Sequence, residues 1–248
     1  MTVTTDLGIS GLAAAKAIAG LRISVCIPAR NEVATVAGVV SPVVAALAGP
    51  DPLVDEVIVV DDGSSDGTGP IAGAFGAQVV RRDGRPGKGA AMAEALGASS
   101  GDIVVFLDAD VSNFDLRFVS GLVEPLLTDP RVVLVKGTYR RPENDGAGGG
   151  RVTELLARPL LRRLFPELAF VRQPLAGEVA ARRTALDGLA LDPGYGVEIG
   201  MLIDVARRFG AGAVTQVDLG ERVHRNRPLE ELTGQADEVL AAVLARTG

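Results

Sequence analysis

Residues 103–110, Ile-Val-Val-Phe-Leu-Asp-Ala-Asp, join a short apolar run to two carboxylates that are two residues apart. Similar apolar runs recur through the first 140 residues and alternate with alanine-rich stretches of helical character. Strands that alternate with helices in this way form a parallel sheet with crossover connections. The strands are expected at residues 23–28, 56–61, 77–81, 103–107 and 132–136, and the helices near 33–48, 67–75, 89–98 and 115–127.

The second half of the chain has a different pattern. Residues 140–150 are rich in turn-forming residues and end in three glycines, so they are expected to form a linker. The sequence after them predicts helices near residues 151–164 and 197–209, a strand at 213–219 and a last helix at 229–246. The predicted fold class is α/β, with a mostly parallel central sheet and helices on both faces.

The composition excludes several classes of protein. Of the 248 residues, 47% are hydrophobic and 23% are charged, as in a soluble globular chain and unlike a disordered one. The net charge is -6, and the aromatic residues are seven phenylalanines and two tyrosines, with no tryptophan. Nucleic-acid binding needs a cationic face or aromatic stacking platforms, so no nucleic-acid partner is expected.

Nothing in the sequence calls for a membrane or an oxidising compartment. The one cysteine, Cys26, has no partner for a disulfide within the chain and is expected to be a buried strand residue. The first twenty residues do not resemble a secretory signal. The uncharged run at 33–50 contains glycine, proline and polar residues, which favours a helix that covers a sheet. We therefore expect a cytoplasmic protein with no membrane partner.

Polar residues follow several of the predicted strands. Residues 28–32 follow the first strand, residues 61–67 the second, and Asp108 and Asp110 the fourth. Ligands of open parallel sheets bind at this edge, where the strands have their carboxyl ends. Two carboxylates at a strand end can hold a divalent cation against a diphosphate, although a solvated turn is the commoner role of such a pair. The apolar strand and the matching acidic loop favour the metal site.

His224 is the only histidine of the chain. A single histidine more often has a surface or structural role. Here residues 224–227, His-Arg-Asn-Arg, place an imidazole, an amide and two guanidinium groups together after a predicted strand. Such a loop can supply one metal ligand and several contacts to an anion.

Three further segments are expected to meet anions or hydroxyl groups. Gly150, Arg151 and Thr153 lie where a glycine-rich turn enters a helix, so they can bind a phosphate or a carboxylate; a plain connector is the alternative. Lys88 lies on a tight turn before a helix, in a position to face a phosphate, although a solvated lysine is the commoner role of such a residue. Glu198, in the first turn of a helix, either stabilises the helix dipole or binds sugar hydroxyls.

Together these motifs resemble the GT-A type glycosyltransferases and, more closely, the glucosyl-3-phosphoglycerate synthases of actinobacteria. The resemblance runs from residue 28 to residue 228. It rests on segments that occur in the family's order, at residues 28–32, 85–89, 149–154, 173–175, 193–200 and 224–228.

The resemblance implies a retaining hexosyltransferase that moves glucose from UDP-glucose, or another nucleotide diphosphate glucose, to the 2-hydroxyl of 3-phosphoglycerate. It also implies a divalent metal, Mg²⁺ or Mn²⁺, bound by Asp110 and His224. The residues that it assigns to the nucleotide sugar are Pro28, Ala29, Glu32, Asp62, Lys88, Asp108, Asp110, Tyr195 and Glu198. Those that it assigns to the acceptor are Gly150, Arg151, Thr153 and Asn226. The catalytic set is Asp110, His224, Glu198 and Arg151.

One GT-A domain is expected over residues 1–248, because the glycine-rich stretch is too short to link independent domains, and a homodimer is a further expectation. Residues 21–140 form its nucleotide-sugar half, residues 141–228 its acceptor half, and residues 229–248 a C-terminal helix. Two alternatives remain open. One is a mannosyl-3-phosphoglycerate synthase or a related transferase with another small acidic acceptor. The other is a module that binds nucleotide sugars without turnover.

Overall fold

The computed structural model describes residues 7–50, 52–140, 150–223 and 229–247. Within them lies a seven-stranded sheet with the strand order β3-β2-β1-β4-β6-β5-β7. Strand β6 is antiparallel to both of its neighbours, whereas the other pairings are parallel. The strands are β1 (Ile23–Ala29), β2 (Glu56–Asp61), β3 (Gln78–Arg81), β4 (Ile103–Phe106), β5 (Leu134–Arg140), β6 (Val179–Arg182) and β7 (Val214–Glu221).

Helices cover both faces of this sheet, which confirms the predicted fold class. They are α1 (Gly8–Ala19), α2 (Val36–Ala45), α3 (Thr68–Ala74), α4 (Lys88–Ala98), α5 (Arg117–Thr128), α6 (Arg158–Leu164), α7 (Arg183–Leu186), α8 (Val197–Phe209) and α9 (Leu229–Leu244). A π-helical turn, Thr153–Ala157, precedes α6, and short 3-10 turns occupy Pro166–Leu168 and Ala211–Ala213. In the described part of the chain, none of the helices combines the length and the apolar character needed to cross a bilayer.

Two apolar layers separate the helices from the sheet. Alternate residues of the strands point to opposite faces, so Val25 and Ile27 of β1 pack with α2 and α5, while Cys26 packs with α4 and α8. A sheet buried on both faces needs continuous apolar strands, and these are the runs that the sequence shows. Burial raises the pKa of Cys26 to about 12, and this residue is buried in a strand as predicted.

The strand register brings the predicted polar loops to one edge of the sheet. Ala29 at the end of β1 is paired with Asp61 at the end of β2, and Cys26 of β1 is paired with Phe106 of β4. The loops that follow these three strands therefore leave the sheet side by side.

The antiparallel strand β6 brings further residues to the same edge. Its first residue, Val179, is paired with Phe106 of β4 and with Lys136 of β5. The segment before β6 therefore lies beside the loop that carries Asp108. The sequence analysis did not predict β6, nor that β5 continues to Arg140, where a linker was expected.

Candidate active site

Lys88 connects two of the predicted donor residues. Its Nζ atom lies 2.7 Å from Oδ1 of Asp108 and 2.6 Å from Oε1 of Glu198. Burial lowers the pKa of Lys88, but the carboxylates of Asp108 and Glu198 outweigh burial and hold this pKa well above its ordinary value. Lys88 is therefore a permanent cation between two acidic groups.

Two glycines flank Lys88 because a neighbouring loop packs directly on the start of α4. A Cβ atom on Gly87 would lie 2.4 Å from the carbonyl oxygen of Pro193, and one on Gly89 would lie 1.7 Å from that of Asp192. The backbone N–H groups of Gly89 and Ala90 donate to the carbonyls of Gly194 and Pro193. These two amides are thus occupied within the chain, while the side chain of Lys88 reaches Asp108 and Glu198.

Tyr195 lies in the same loop, just before α8. Its backbone N–H donates to Oε2 of Glu238 on α9 at 2.6 Å. Gly194 packs on the same carboxylate, since a Cβ atom there would lie 2.1 Å from Oε2 of Glu238. Helix α9 therefore holds the loop that precedes Glu198, which is 3% exposed in the first turn of α8.

Asp62 organises the loop that leads to Lys88. Its Oδ1 atom lies 2.6 Å from Nη1 of Arg82, and its Oδ2 atom accepts a hydrogen bond of 2.7 Å from the N–H of Gly87. Its own N–H donates to the carbonyl of Ala29 at the end of β1. Both carboxylate oxygens of Asp62 are thus engaged within the chain.

Pro28, Ala29 and Glu32 lie at the same edge, where β1 ends. The N–H of Glu32 donates to Oγ1 of Thr68 at 2.8 Å, which fastens this loop to the start of α3. Asn31, the residue before Glu32, has a left-handed backbone conformation with φ 56°. Its Oδ1 atom accepts a hydrogen bond from the N–H of Ser65. The structure therefore brings Pro28, Ala29 and Glu32, which were predicted to bind the nucleotide sugar, together next to Asp62.

Arg222 binds both acidic residues of the Asp-Ala-Asp motif. Its Nη2 atom lies 2.9 Å from Oδ2 of Asp108 and 2.7 Å from Oδ1 of Asp110. Its Nη1 atom donates to the hydroxyl of Tyr139 at 3.0 Å. The sequence analysis missed Arg222, although its position directly after β7 and two residues before His224 was a signal.

Glu178 lies behind Arg222 and was also missed. Its Oε1 atom is 3.1 Å from Nε of Arg222, yet the two groups are not aligned for a hydrogen bond, and in the described residues both oxygens of Glu178 have no hydrogen-bond donor. Burial raises the pKa of Glu178, and the guanidinium of Arg222 opposes that shift. Burial lowers the pKa of Arg222. The neighbouring groups outweigh burial and hold this pKa well above its ordinary value; they are Glu178, Tyr139, Asp108 and Asp110.

Asp110 has the chemistry of a metal ligand. Arg222 binds its Oδ1 atom, and within the described residues no partner binds Oδ2, so this hard oxygen suits a divalent cation. No three acidic, histidine or cysteine side chains of the described residues gather into a complete cation site. His224, the second predicted ligand, lies outside the described residues, as does Asn226.

The predicted acceptor residues begin the next helical segment. Arg151 is exposed and Thr153 is 6% exposed at the start of the π-helical turn, while the carbonyl of Gly150 accepts from the N–H of Glu154. This turn packs against α9, and α9 packs against α8, whose first turn carries Glu198. The acceptor segment and the donor cluster are thus connected through two packed helices.

This fold and this site define a class of protein. A mostly parallel sheet gathers an Asp-Ala-Asp motif, a buried lysine and a buried glutamate at the carboxyl edge of its strands, as in nucleotide-diphospho-sugar transferases of the GT-A fold.

Comparisons with known proteins show to which family the chain belongs. The profile of glycosyl transferase family 2 matches residues 24–185. The glucosyl-3-phosphoglycerate synthase of Mycobacterium tuberculosis (strain ATCC 25618 / H37Rv) is 51% identical over 258 residues, which cover 97% of this chain and 77% of that protein. The chain belongs to glycosyl transferase family 2 and, within it, to the glucosyl-3-phosphoglycerate synthases, and it is therefore a hexosyltransferase.

Solved structures agree with this assignment. The M. tuberculosis synthase in complex with Mn²⁺, UDP-glucose and phosphoglyceric acid has a TM-score of 0.89 at 51% identity, over 97% of this chain and 84% of that one. The same protein with Mn²⁺, UDP and glucosyl-3-phosphoglycerate has a TM-score of 0.91 at 49% identity, over 100% of this chain and 87% of that one.

Proposed function

We propose that this chain transfers glucose from UDP-glucose to the 2-hydroxyl of 3-phosphoglycerate, with a divalent metal and with retention of the anomeric configuration. The observation that carries the proposal is the Lys88 bridge between Asp108 and Glu198, next to Asp110 at the carboxyl edge of the sheet. The similarity to a synthase solved with UDP-glucose and phosphoglyceric acid supports the choice of substrates.

The donor extends along the edge of the sheet. Its base meets the loop after β1, formed by Pro28, Ala29 and Glu32, beside the Asp62 network. Lys88 meets the diphosphate, and Asp108 meets the ribose or the sugar. Glu198 binds hydroxyls of the glucose, because a buried carboxylate fixed by Lys88 is an oriented acceptor of hydrogen bonds. Tyr195, in the loop that α9 holds, closes the sugar end of the site.

The residues at the edge of the sheet suit a divalent cation, because Arg222 binds only the Oδ1 atom of Asp110 among the described residues. Asp110 and His224 would hold it, because a carboxylate oxygen is a preferred ligand of Mn²⁺ and Mg²⁺ and a neutral imidazole is a common ligand of divalent metals in general. When bound, the cation supplies positive charge that neutralises the departing diphosphate.

The acceptor is a small molecule with a phosphate and a carboxylate. Arg151 and the Thr153 hydroxyl bind these groups together with the Gly150 backbone and Asn226, because a guanidinium pairs with either anion in a bidentate manner. The segment is placed by its packing against α9. The 2-hydroxyl of the acceptor is thereby presented to the anomeric carbon.

Retention without a covalent intermediate is compatible with the pairing of the carboxylates at the site. In the described cluster, Asp108 and Glu198 are paired with Lys88, and Asp110 is paired with Arg222, so these carboxylates are poor nucleophiles. When no side chain attacks, retention requires the acceptor hydroxyl to attack on the face that the diphosphate leaves, because attack on the opposite face would invert the anomeric carbon. The bond from the anomeric carbon to the phosphate oxygen breaks, the bond to the acceptor oxygen forms, and the hydroxyl proton passes to the departing phosphate. The protein contributes position and charge.

One incubation tests the proposal directly. The protein is mixed with UDP-glucose, 3-phosphoglycerate and Mg²⁺ or Mn²⁺, and the product is measured by mass and by the anomeric proton signal. We expect glucosyl-3-phosphoglycerate with the donor's configuration, and no product with EDTA. Parallel reactions with GDP-mannose, with other small phosphorylated acids and with no acceptor test the alternatives. Turnover of GDP-mannose alone, or tight donor binding with no product under any metal, would contradict the proposal.

We also propose that the protein works in the cytoplasm as a homodimer. Its single cysteine is buried and needs no oxidising compartment. Ile18 and Leu155 are apolar side chains with 88% and 79% exposure, and we propose that a second copy of the chain covers such residues. Light scattering on the purified protein measures the mass in solution, and fractionation of cells measures the location. A monomeric mass across the working concentration range would contradict the dimer.

A further inference from the structure

Lys136 is a buried lysine that neither the sequence analysis nor the proposed reaction uses. It lies in β5 and has 0% exposure. Its Nζ atom donates a hydrogen bond of 2.6 Å to the carbonyl oxygen of Ala176. A fully buried ammonium is costly unless it has a specific partner, so its position calls for a role.

The carbonyl that Lys136 binds belongs to a turn at residues 173–178. Within this turn the N–H of Ala176 donates to the carbonyl of Gln173 at 3.1 Å. The turn presses on Asp108, since a Cβ atom on Gly177 would lie 2.2 Å from Oδ1 of that residue. Only a glycine lets the backbone approach the carboxylate so closely. The Lys136 bond therefore fastens the surface against which Asp108 rests.

A second set of bonds joins the turn to the strand that carries Lys136. The N–H of Gly137 donates to the carbonyl of Glu178 at 2.9 Å, and a Cβ atom on Gly137 would lie 3.1 Å from that oxygen. The backbone thus holds one end of the turn, at Glu178. The ammonium of Lys136 holds its middle, at Ala176.

Lys136 is also part of the charge balance of the site. Burial lowers its pKa to about 8, while the carboxylates of Glu198, Glu178 and Asp108 raise it and the ammonium of Lys88 lowers it. The charged groups that surround it come from five elements, namely Lys88 on α4, Asp108 after β4, Glu178 before β6, Glu198 on α8 and, beyond Glu178, Arg222 after β7.

We propose that Lys136 is a positioning residue for glucosyl transfer, which it serves by fastening the turn at residues 173–178 beneath the carboxylate of Asp108. The inference rests on the proposed function, because it assumes that the donor meets Asp108. Lys136 itself does not touch the substrates. It acts through the backbone of Ala176 and Gly177, which fixes where the carboxylate lies during the reaction.

The test compares Lys136→Met with Lys16→Met. Lys16 is a second buried lysine, on α1, and it pairs with Asp55 at 2.8 Å away from the site, so it controls for removal of a buried ammonium. We expect Lys136→Met to lower kcat by about 10- to 100-fold, the size of one hydrogen bond to a charged group, with KM changed much less. Lys16→Met should keep the wild-type kcat. A wild-type kcat in folded Lys136→Met would overturn the proposal.

Hydrogen exchange gives a readout that does not depend on activity. In the absence of substrates, the amides of Gln173 and of residues 175–178 should exchange about tenfold faster or more in Lys136→Met than in wild type, whereas Lys16→Met should exchange like the wild type. Equal exchange in all three proteins would overturn the proposal even if the wild type makes the expected product. If the wild type makes no product, the proposed function fails, and the exchange rates still decide whether Lys136 holds the turn.

The pH dependence of kcat in the wild-type protein provides a third measurement. It needs no variant, so it applies even if Lys136→Met does not fold. Above about pH 8 the ammonium loses its proton and its charge-assisted bond to Ala176 weakens. With Mg²⁺ as the metal, kcat should therefore fall as pH rises through about 8. A kcat that stays constant to about pH 9.5 would show that the positive charge of Lys136 is not needed to hold the turn.

Discussion

The Nη2 atom of Arg222 lies 2.7 Å from Oδ1 of Asp110, and Arg222 has 3% exposure. A cation therefore already occupies one oxygen of the carboxylate that is proposed to hold a metal. The same guanidinium binds Asp108 at 2.9 Å and faces the buried Glu178 at 3.1 Å. Arg222 is thus the common counter-charge of three carboxylates.

Removal of this counter-charge should damage both stability and activity. In Arg222→Met the buried Glu178 loses its counter-charge, Asp110 loses its paired cation and Asp108 keeps only Lys88, so we expect the free energy of unfolding to fall by about 3 to 5 kcal/mol. Urea unfolding followed by circular dichroism measures the change. Arg131→Met, which removes an exposed arginine paired with Asp129, is the matched control and should unfold like the wild type. Equal stability of the two variants would contradict the role of Arg222.

His224→Ala should abolish most turnover and leave the fold intact. The reason is its proposed role as the partner of Asp110 in metal binding, in a loop that lies outside the described residues. The rate of UDP release measures activity, and thermal unfolding shows whether the fold is retained. Titration with Mn²⁺ in the presence of UDP should show weaker metal binding in the variant. Wild-type activity in His224→Ala would remove this residue from the site.

The parts of the fold that the sequence predicts are those with a local signal. Helix α8 begins and ends at the predicted residues, and β1, β2 and β4 are correct to within one residue, because apolar runs and helical periodicity are local properties. Strand β6 escaped prediction because Val179–Arg182 is short and contains two alanines, which have little strand preference.

The buried charges of the site could not be predicted for a different reason. Lys136 and Glu178 lie far apart in the chain, and the pairing of β6 with both β4 and β5 brings them beside Asp108. A lysine next to an apolar run has the sequence signature of an exposed residue. The Asp-Ala-Asp motif, in contrast, was recognisable because the preceding strand and its two carboxylates are contiguous.

Arg151→Ala should weaken acceptor binding more than it slows the chemical step. Loss of one charge-assisted bond to a phosphate or carboxylate predicts a rise of about 10- to 100-fold in KM for 3-phosphoglycerate. KM for UDP-glucose should stay near the wild-type value. Arg163→Ala, an exposed arginine on α6, is the control and should keep both constants. An unchanged KM for 3-phosphoglycerate in Arg151→Ala would show that another group binds the acceptor.

Glu198→Gln should separate binding of the sugar from binding of the nucleotide. Glutamine is close in size but lacks the charge that orients the glucose hydroxyls, so KM for UDP-glucose should rise about tenfold. UDP has no glucose, and its affinity, measured by calorimetry, should change much less. Glu167→Gln, at an exposed position, is the control for the substitution itself. A parallel loss of UDP affinity would indicate that Glu198 acts mainly by fixing Lys88, which lies 2.6 Å away.

Lys136 should also change how the free energy of unfolding depends on pH. Its pKa is about 8 in the folded protein and near its ordinary value of 10.5 in the unfolded chain, so the unfolded state binds the extra proton between these two values. The free energy of unfolding of the wild type should therefore rise, relative to that of Lys136→Met, by about 1.4 kcal/mol per pH unit in this window. Below about pH 8 the difference between the two proteins should be constant. Urea unfolding of both proteins at a series of pH values measures it, and a difference that stays constant to about pH 10 would show that the ammonium is not destabilised by burial.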